Sequence, residues 1–235
     1  MKNEDSLYFD IYRKANFDKL IKVFTSAAGS FPVKADMQIN LGKYLELYLG
    51  TAGTYDGSQR KWQSTYTPGI ELGVMSKSEH STIYELSPLA KALLKSEITS
   101  DEYLTIYFLN FVQLINSKFI SPLEEVLLVL SAQPIIDKED IKAISNFRLS
   151  QRTTDNQDQI ANSLLTRLVN AKILKIVNET RGSKTYSIGD KYSIDDLLKN
   201  LNKFNGSVSN YEKLEQSDFL ALISQPNKLI YKYSL

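Results

Sequence analysis

The sequence predicts a mainly α fold with short β-hairpins, an α+β chain built from two similar units in series. Three observations predict it. Apolar residues recur at helical spacing through most of the chain. Short period-two runs come in pairs around polar turns, near 73–86 and again near 173–188. Two helical patterns restart on a serine followed by proline, at Ser87–Pro88 and Ser121–Pro122.

The stretch 17–28, FDKLIKVFTSAA, places Phe17, Leu20, Ile21, Val23 and Phe24 on one helical face and stops at Gly29. Pro32 breaks the pattern, and a second helix is expected over about 37–49. A glycine-rich loop at 49–57 and a basic segment, SQRKWQSTY, follow. A third helix is expected over about 62–75. GVMSK and STIYEL then read as a hairpin around a turn at 78–81, which carries the only histidine, His80. The hairpin feeds a capped helix with Leu89, Ala90, Leu93 and Leu94 as its buried stripe. A further helix, capped by Thr99 or Ser100, is expected to run to about Asn116; being apolar nearly all round, it should be buried.

The second unit repeats the order. SPLEEVLLVLSA is a helix ended by Pro134, and DKEDIKAIS is a short second one. NFRLSQRTTD is a polar, basic connection. NQDQIANSLLTRLVNAK is a third helix, with Ile160, Leu164, Leu165 and Leu168 on one face. ILKIV and KTYSI then form a hairpin through Arg181, Gly182 and Ser183. Helix, helix, helix, strand, turn, strand is the order of a winged helix-turn-helix, and both halves can be read as tandem modules of that kind. The expected division is 1–98, 99–192 and a C-terminal extension, 193–235, packed on the modules. In that extension SIDDLLKNLNKF and SDFLALIS read as helices and KLIYKYSL as a terminal strand.

Composition narrows the function. The chain has 235 residues, 43% hydrophobic and 23% charged, and a net charge of +1, so any polyanion site must be a local face. No cysteine is present, which excludes disulfides, thiolate metal sites and a cysteine nucleophile. The start lacks an apolar signal core, and no apolar run approaches the ~20 residues of a membrane span. A cytoplasmic protein with no membrane partner is expected. One histidine cannot supply a multi-histidine zinc site. GxxxxGK[ST], GxGxxG and GxSxG are all absent. Asp140, Ile141 and Lys142 are the nearest match to the Asp-x-Lys of a Mg²⁺ nuclease, but they read as a helix start. No metal site, cofactor or catalytic residue is assigned.

A nucleic-acid face is easier to find. Residues 141–186 hold eight basic and three acidic residues. Asn156, Gln157, Gln159, Asn162 and Ser163 lie on the polar side of the third helix, and amide side chains suit adenine N6 and N7. Arg148, Arg152, Thr153 and Thr154 precede that helix, where phosphates or bases would be met. Arg181 and Lys184 sit on the hairpin. In the first unit, Arg60, Lys61, Gln63 and Tyr66 surround Trp62, itself more readily a core anchor than a base contact.

The stretches 86–94, LSPLAKALL, and 121–130, SPLEEVLLVL, resemble the DNA-recognition region of certain restriction and nicking endonucleases, over about residues 17–190. That resemblance implies sequence-specific recognition of double-stranded DNA in a restriction-modification or related defence system. Those enzymes carry a separate Mg²⁺-dependent nuclease domain, which this sequence lacks a pattern for. The expectation is therefore a recognition component that is not itself a catalyst, partnered by duplex DNA and by a nuclease or methyltransferase subunit. Two rivals stand: a winged-helix protein-interaction scaffold, and a Mg²⁺-dependent endonuclease using Glu71, Glu85 or Asp140.

Overall fold

Side-chain caps mark where most of the helices begin. The computed structural model describes residues 1–9, 17–37, 39–40, 69, 71–77, 82–180 and 182–230. Helix α1 spans Phe17–Ser30. Ser87 accepts from the Ala90 amide at 3.0 Å and Pro88 opens α2, Pro88–Leu94. Thr99 and Glu102 form a reciprocal capping box at α3, Ser100–Asn110. Ser121 and Pro122 open α4, Pro122–Ala132. Asp137 and Asp140 form a second capping box at α5, Lys138–Ala143. Two 3₁₀ turns, Ser145–Phe147 and Leu149–Gln151, lead into α6, Thr154–Asn170. The extension supplies α7, Ile194–Lys199, α8, Val208–Glu212, and α9, Gln216–Ile223.

The strands are short. β1, Asn3–Glu4, runs parallel to β4, Gln113–Ile115, which pairs antiparallel with β5, Lys118–Ile120. β2, Met75–Lys77, pairs with β3, Tyr84–Leu86, and β6, Leu174–Thr180, with β7, Ser183–Ile188. The architecture is mixed α+β. One expected helix is shorter than its pattern. The helix foreseen to about Asn116 ends at Asn110, and the apolar residues beyond it form β4. Asn116 and Ser117 take φ of 48° and 62°, and two successive left-handed residues turn a hairpin tightly. Most of the helix expected over 37–49 lies outside the described residues. Of the helix expected over about 62–75, the described residues Gly69 and Glu71 are helical, but it stops short of its expected end, because Met75 already begins β2.

Both halves contain one feature that the sequence pattern did not announce. Val33, just after α1, pairs antiparallel with Ile83, beside β3. Ile136, just after α4, pairs antiparallel with Tyr186 of β7, with reciprocal bonds of 2.9 and 2.8 Å. Each hairpin thus gains a one-residue third strand, and each is delivered by a proline, Pro32 or Pro134.

Burial continues through both halves. One apolar cluster runs from Leu7 to Ile230. Helix α3 is buried at every residue except Asp101 and packs against α1, α2, α4, α6 and α9. At its end the Asn110 amide donates to the carbonyls of Ile223 and Gln225, both at 2.9 Å. A second small cluster, Val112, Leu114 and Tyr211 with Phe119 and Phe204, docks α8 on β4–β5.

Candidate nucleic-acid interface

Helix α6 is built with two faces. Ile160, Ala161, Leu164, Leu165 and Leu168 are buried at helical spacing against α5, α3 and α1. On the opposite side Asp155, Asp158, Gln159, Asn162 and Thr166 form a partly or fully exposed stripe. Asn156 is exposed at the helix start, as are Thr153 and Thr154; Ser163 is buried. The N-cap residue, Thr153, makes no side-chain capping bond. Gln157 is half-buried and its side-chain amide donates to the Arg152 carbonyl at 2.8 Å. It therefore braces the turn before the helix.

Asn162 and Thr166 face a groove of about 600 Å³ between α6, the start of α5 and the tip of the β6–β7 hairpin. Lys138, Glu139 and Lys184 also line it. Lys138 and Lys142 both reach Asp158, at 2.6 and 2.8 Å. Their hydrogen bonds, Lys138 first, hold the Asp158 carboxyl below the usual carboxylate range, and Asp158 in turn raises both lysines. Lys184 lies 2.6 Å from Glu179 across the hairpin, and that hydrogen bond raises its pKa.

The local surplus of positive charge is thus largely matched. Besides Lys142 and Lys184, Lys175 pairs with Asp190 at 2.5 Å and Lys172 with Asp101 at 3.4 Å. Arg167, counted with the surface in the charge balance, is fully buried. It pairs with the buried Glu71 and lies 4.6 Å from the centre of the Phe9 ring. A charge count over 141–186 misses this because Glu71, Asp101 and Asp190 lie outside that window.

Arg148 and Arg152 serve the N-terminal segment. Arg148 has φ of 51° between the two 3₁₀ turns, and its Nε donates to the Asp5 carbonyl at 3.1 Å. Arg152 Nε donates to Ser6 Oγ at 2.5 Å, and its guanidinium lies 5.3 Å from the centre of the Tyr8 ring. The Leu7 amide bonds the Phe147 carbonyl at 2.9 Å. Residues 5–8 are thereby laid along the turn that precedes α6. Of the residues singled out in the sequence, the structure brings Arg148, Arg152, Thr153, Thr154, Asn156, Gln157 and Gln159 to the start of α6. It places Lys184 across the groove. Arg60, Lys61, Gln63, Tyr66 and Arg181 lie outside the described residues, as do Trp62 and His80.

Lys138, Asp158 and Thr166 are partly or fully exposed polar residues that the sequence-based selection passed over. For Thr166 the signal was the i+4 and i+3 recurrence from Asp155 through Gln159 and Asn162; Asp158 and Lys138 lie outside that series. Among the described residues no three His, Asp or Glu side chains gather as a metal-binding group. Glu71 faces Arg167, Asp140 accepts from the Asp137 amide at 2.8 Å, and Glu85 is exposed on β3. Among the described residues no helix is long and apolar enough to cross a membrane.

No protein-family model matches the chain, and no curated protein matches it. One solved structure does. It is the BpuJ1 endonuclease binding domain in complex with pyrene- and phenanthrene-modified DNA. The TM-score is 0.60 at 13% sequence identity, and the match covers 96% of this chain and 97% of that one. At that identity the likeness shows a shared fold along the full length, extension included.

Proposed function

We propose that the chain is a sequence-specific double-stranded DNA-binding protein. Its role is target recognition in a restriction-modification or related defence system, with catalysis on another chain or domain. The observation that carries this reading is the end-to-end likeness to an endonuclease binding domain that was solved on DNA. The exposed amide-bearing stripe on α6 supports it.

The finer proposal is two winged helix-turn-helix modules, 1–98 and 99–192, with 193–235 packed on both. Its support is the repeated plan: a helix, a proline-led bridging residue and a hairpin that receives the bridge at Ile83, beside β3, or at Tyr186 of β7. In this reading α6 lies in a major groove with its first turns toward base edges, and the β6–β7 wing lies along phosphates. Arg60, Lys61, Gln63 and Tyr66 of the first module read adjacent pairs, and Arg181 and Lys184 contact the backbone. A nuclease or methyltransferase subunit would supply the chemistry.

The rival with an observation in its favour is a protein-interaction scaffold, because the lysines around α6 are paired with carboxylates. A gel-shift titration over salt separates the two. With about six phosphates contacted, affinity for duplex falls by roughly 10³ between 50 and 200 mM salt. A scaffold shifts no duplex at either concentration. Selection from a random duplex pool should then enrich one short motif.

A further inference from the structure

We infer that Asp158 of α6, with Lys138 and Lys142 of α5, reads a C·G base pair. The inference rests on the DNA-binding reading above and names one position of the site. Asp158 stands in the second turn of α6, among the N-terminal residues that meet base edges in a helix-turn-helix. Its side chain is 34% exposed, and those of Lys138 and Lys142 are 29% and 16% exposed. The cluster is therefore partly open to solvent: Lys138 and Glu139 line the groove, and Asp158 lies one turn before Asn162 on the polar side of α6.

The donors and acceptors match one base pair. In the major groove cytosine offers the N4 amino group as donor, while its guanine offers N7 and O6 as acceptors. An ionised carboxylate only accepts, and an ammonium only donates. Asp158 thus complements cytosine N4, and Lys138 or Lys142 complements guanine. Facing guanine O6 and N7, or thymine O4, the carboxylate meets lone pairs and is repelled. Facing adenine the amino group lies between N7 and the thymine O4, so the carboxylate is flanked by an acceptor on each side and the lysines no longer find two adjacent acceptors as they do on guanine. The lysines have a second effect. A lone carboxylate on this face would repel the phosphates, and two ammonium groups at 2.6 and 2.8 Å offset it. Glu139 shares them, at 2.9 Å from Lys142 and 3.6 Å from Lys138, so the cluster carries no net charge. It contributes selectivity and adds little to general affinity.

The test uses the whole chain and the motif enriched from a random duplex pool. Each cytosine of that motif is replaced in turn by 2-pyrimidinone, which is cytosine without the N4 amino group. Binding is measured for the wild type, for Asp158→Ala and, as a second variant should the first fail to fold, for Asp158→Ser. At one cytosine the replacement should weaken wild-type binding about tenfold and weaken the variant no further. A wild type with an enriched motif but no such cytosine overturns the inference and leaves the DNA-binding reading standing. So does a variant that suffers the same tenfold loss. A wild type that enriches no motif overturns both.

Discussion

Asp158 sits between two ammonium groups, and its acid–base behaviour follows. Hydrogen bonds from Lys138 and then Lys142 depress its carboxyl. The stabilisation from a depressed acid is present above the unfolded value, about 3.9, and is lost as pH falls through the folded one. The raised lysines contribute below their unfolded value of about 10.4, and that contribution is lost as pH rises through the folded values. Asp158→Asn should therefore lower Tm by the same amount from about pH 5 to 9, and the two curves should converge in stronger acid. Converging curves at neutral pH would contradict the pairing. Gly73 is a second residue whose identity is set by geometry. Its φ is +66°, and a Cβ there would meet Ile223 Cδ1 at 2.0 Å. Gly73→Ala should cost at least about 1–2 kcal/mol in urea unfolding, from the left-handed backbone alone. Arg152 carries a mixed role, because the same side chain holds Ser6 and Tyr8. Arg152→Ala is expected to weaken binding to every duplex alike, measured by gel shift, and to flatten the salt slope by about one.

Each element shows how far local pattern reaches. The start of α2 was legible because Ser87–Pro88 is a cap and a first-turn proline, both local devices. The end of α3 was not. The run YLTIYFLNFVQLI stays apolar across the break, and periodicity cannot separate a buried helix from a buried strand. What ends the helix is tertiary: Asn110 is held by the carbonyls of Ile223, the last residue of α9, and of Gln225 just beyond it, and β4 is claimed by β1 from the other end of the chain. The turn that follows is a local signal that was there to be read, since asparagine tolerates left-handed backbone. Asn116→Val forces a β-branched residue into that region and should cost about 1–2 kcal/mol by chemical denaturation. Within α6, the amides divide by what they touch. Asn156 is exposed, so Asn156→Ala should relax sequence preference in a binding selection without lowering Tm. Gln157 already bonds the Arg152 carbonyl, so Gln157→Ala should lower Tm instead.

Across the whole molecule, one buried ion pair ties the candidate reading helix to the first half of the chain. Arg167 comes from α6 and Glu71 from the segment before β2, and both are at most 2% exposed. Removing one partner leaves the other charge buried and costs about 3–5 kcal/mol, whereas replacing both by apolar groups is often close to neutral. Arg167→Met should show that loss in denaturant unfolding, and Glu71→Leu with Arg167→Met should recover most of it. This pair shows why the mixed α+β make-up was legible and the electrostatics of the site were not. Helices and hairpins are encoded locally, whereas the partners that neutralise Arg167 and Lys172 arrive from Glu71 and Asp101, far away along the chain. The two bridging residues, Val33 and Ile136, were hidden for the same reason: a one-residue strand has no period. The decisive quantity for the function is the ratio of affinities for the selected duplex and a scrambled duplex of equal length at physiological salt. Sequence-specific recognition requires a ratio of roughly 10³ or more. A ratio near one, or no binding to either duplex, would contradict it.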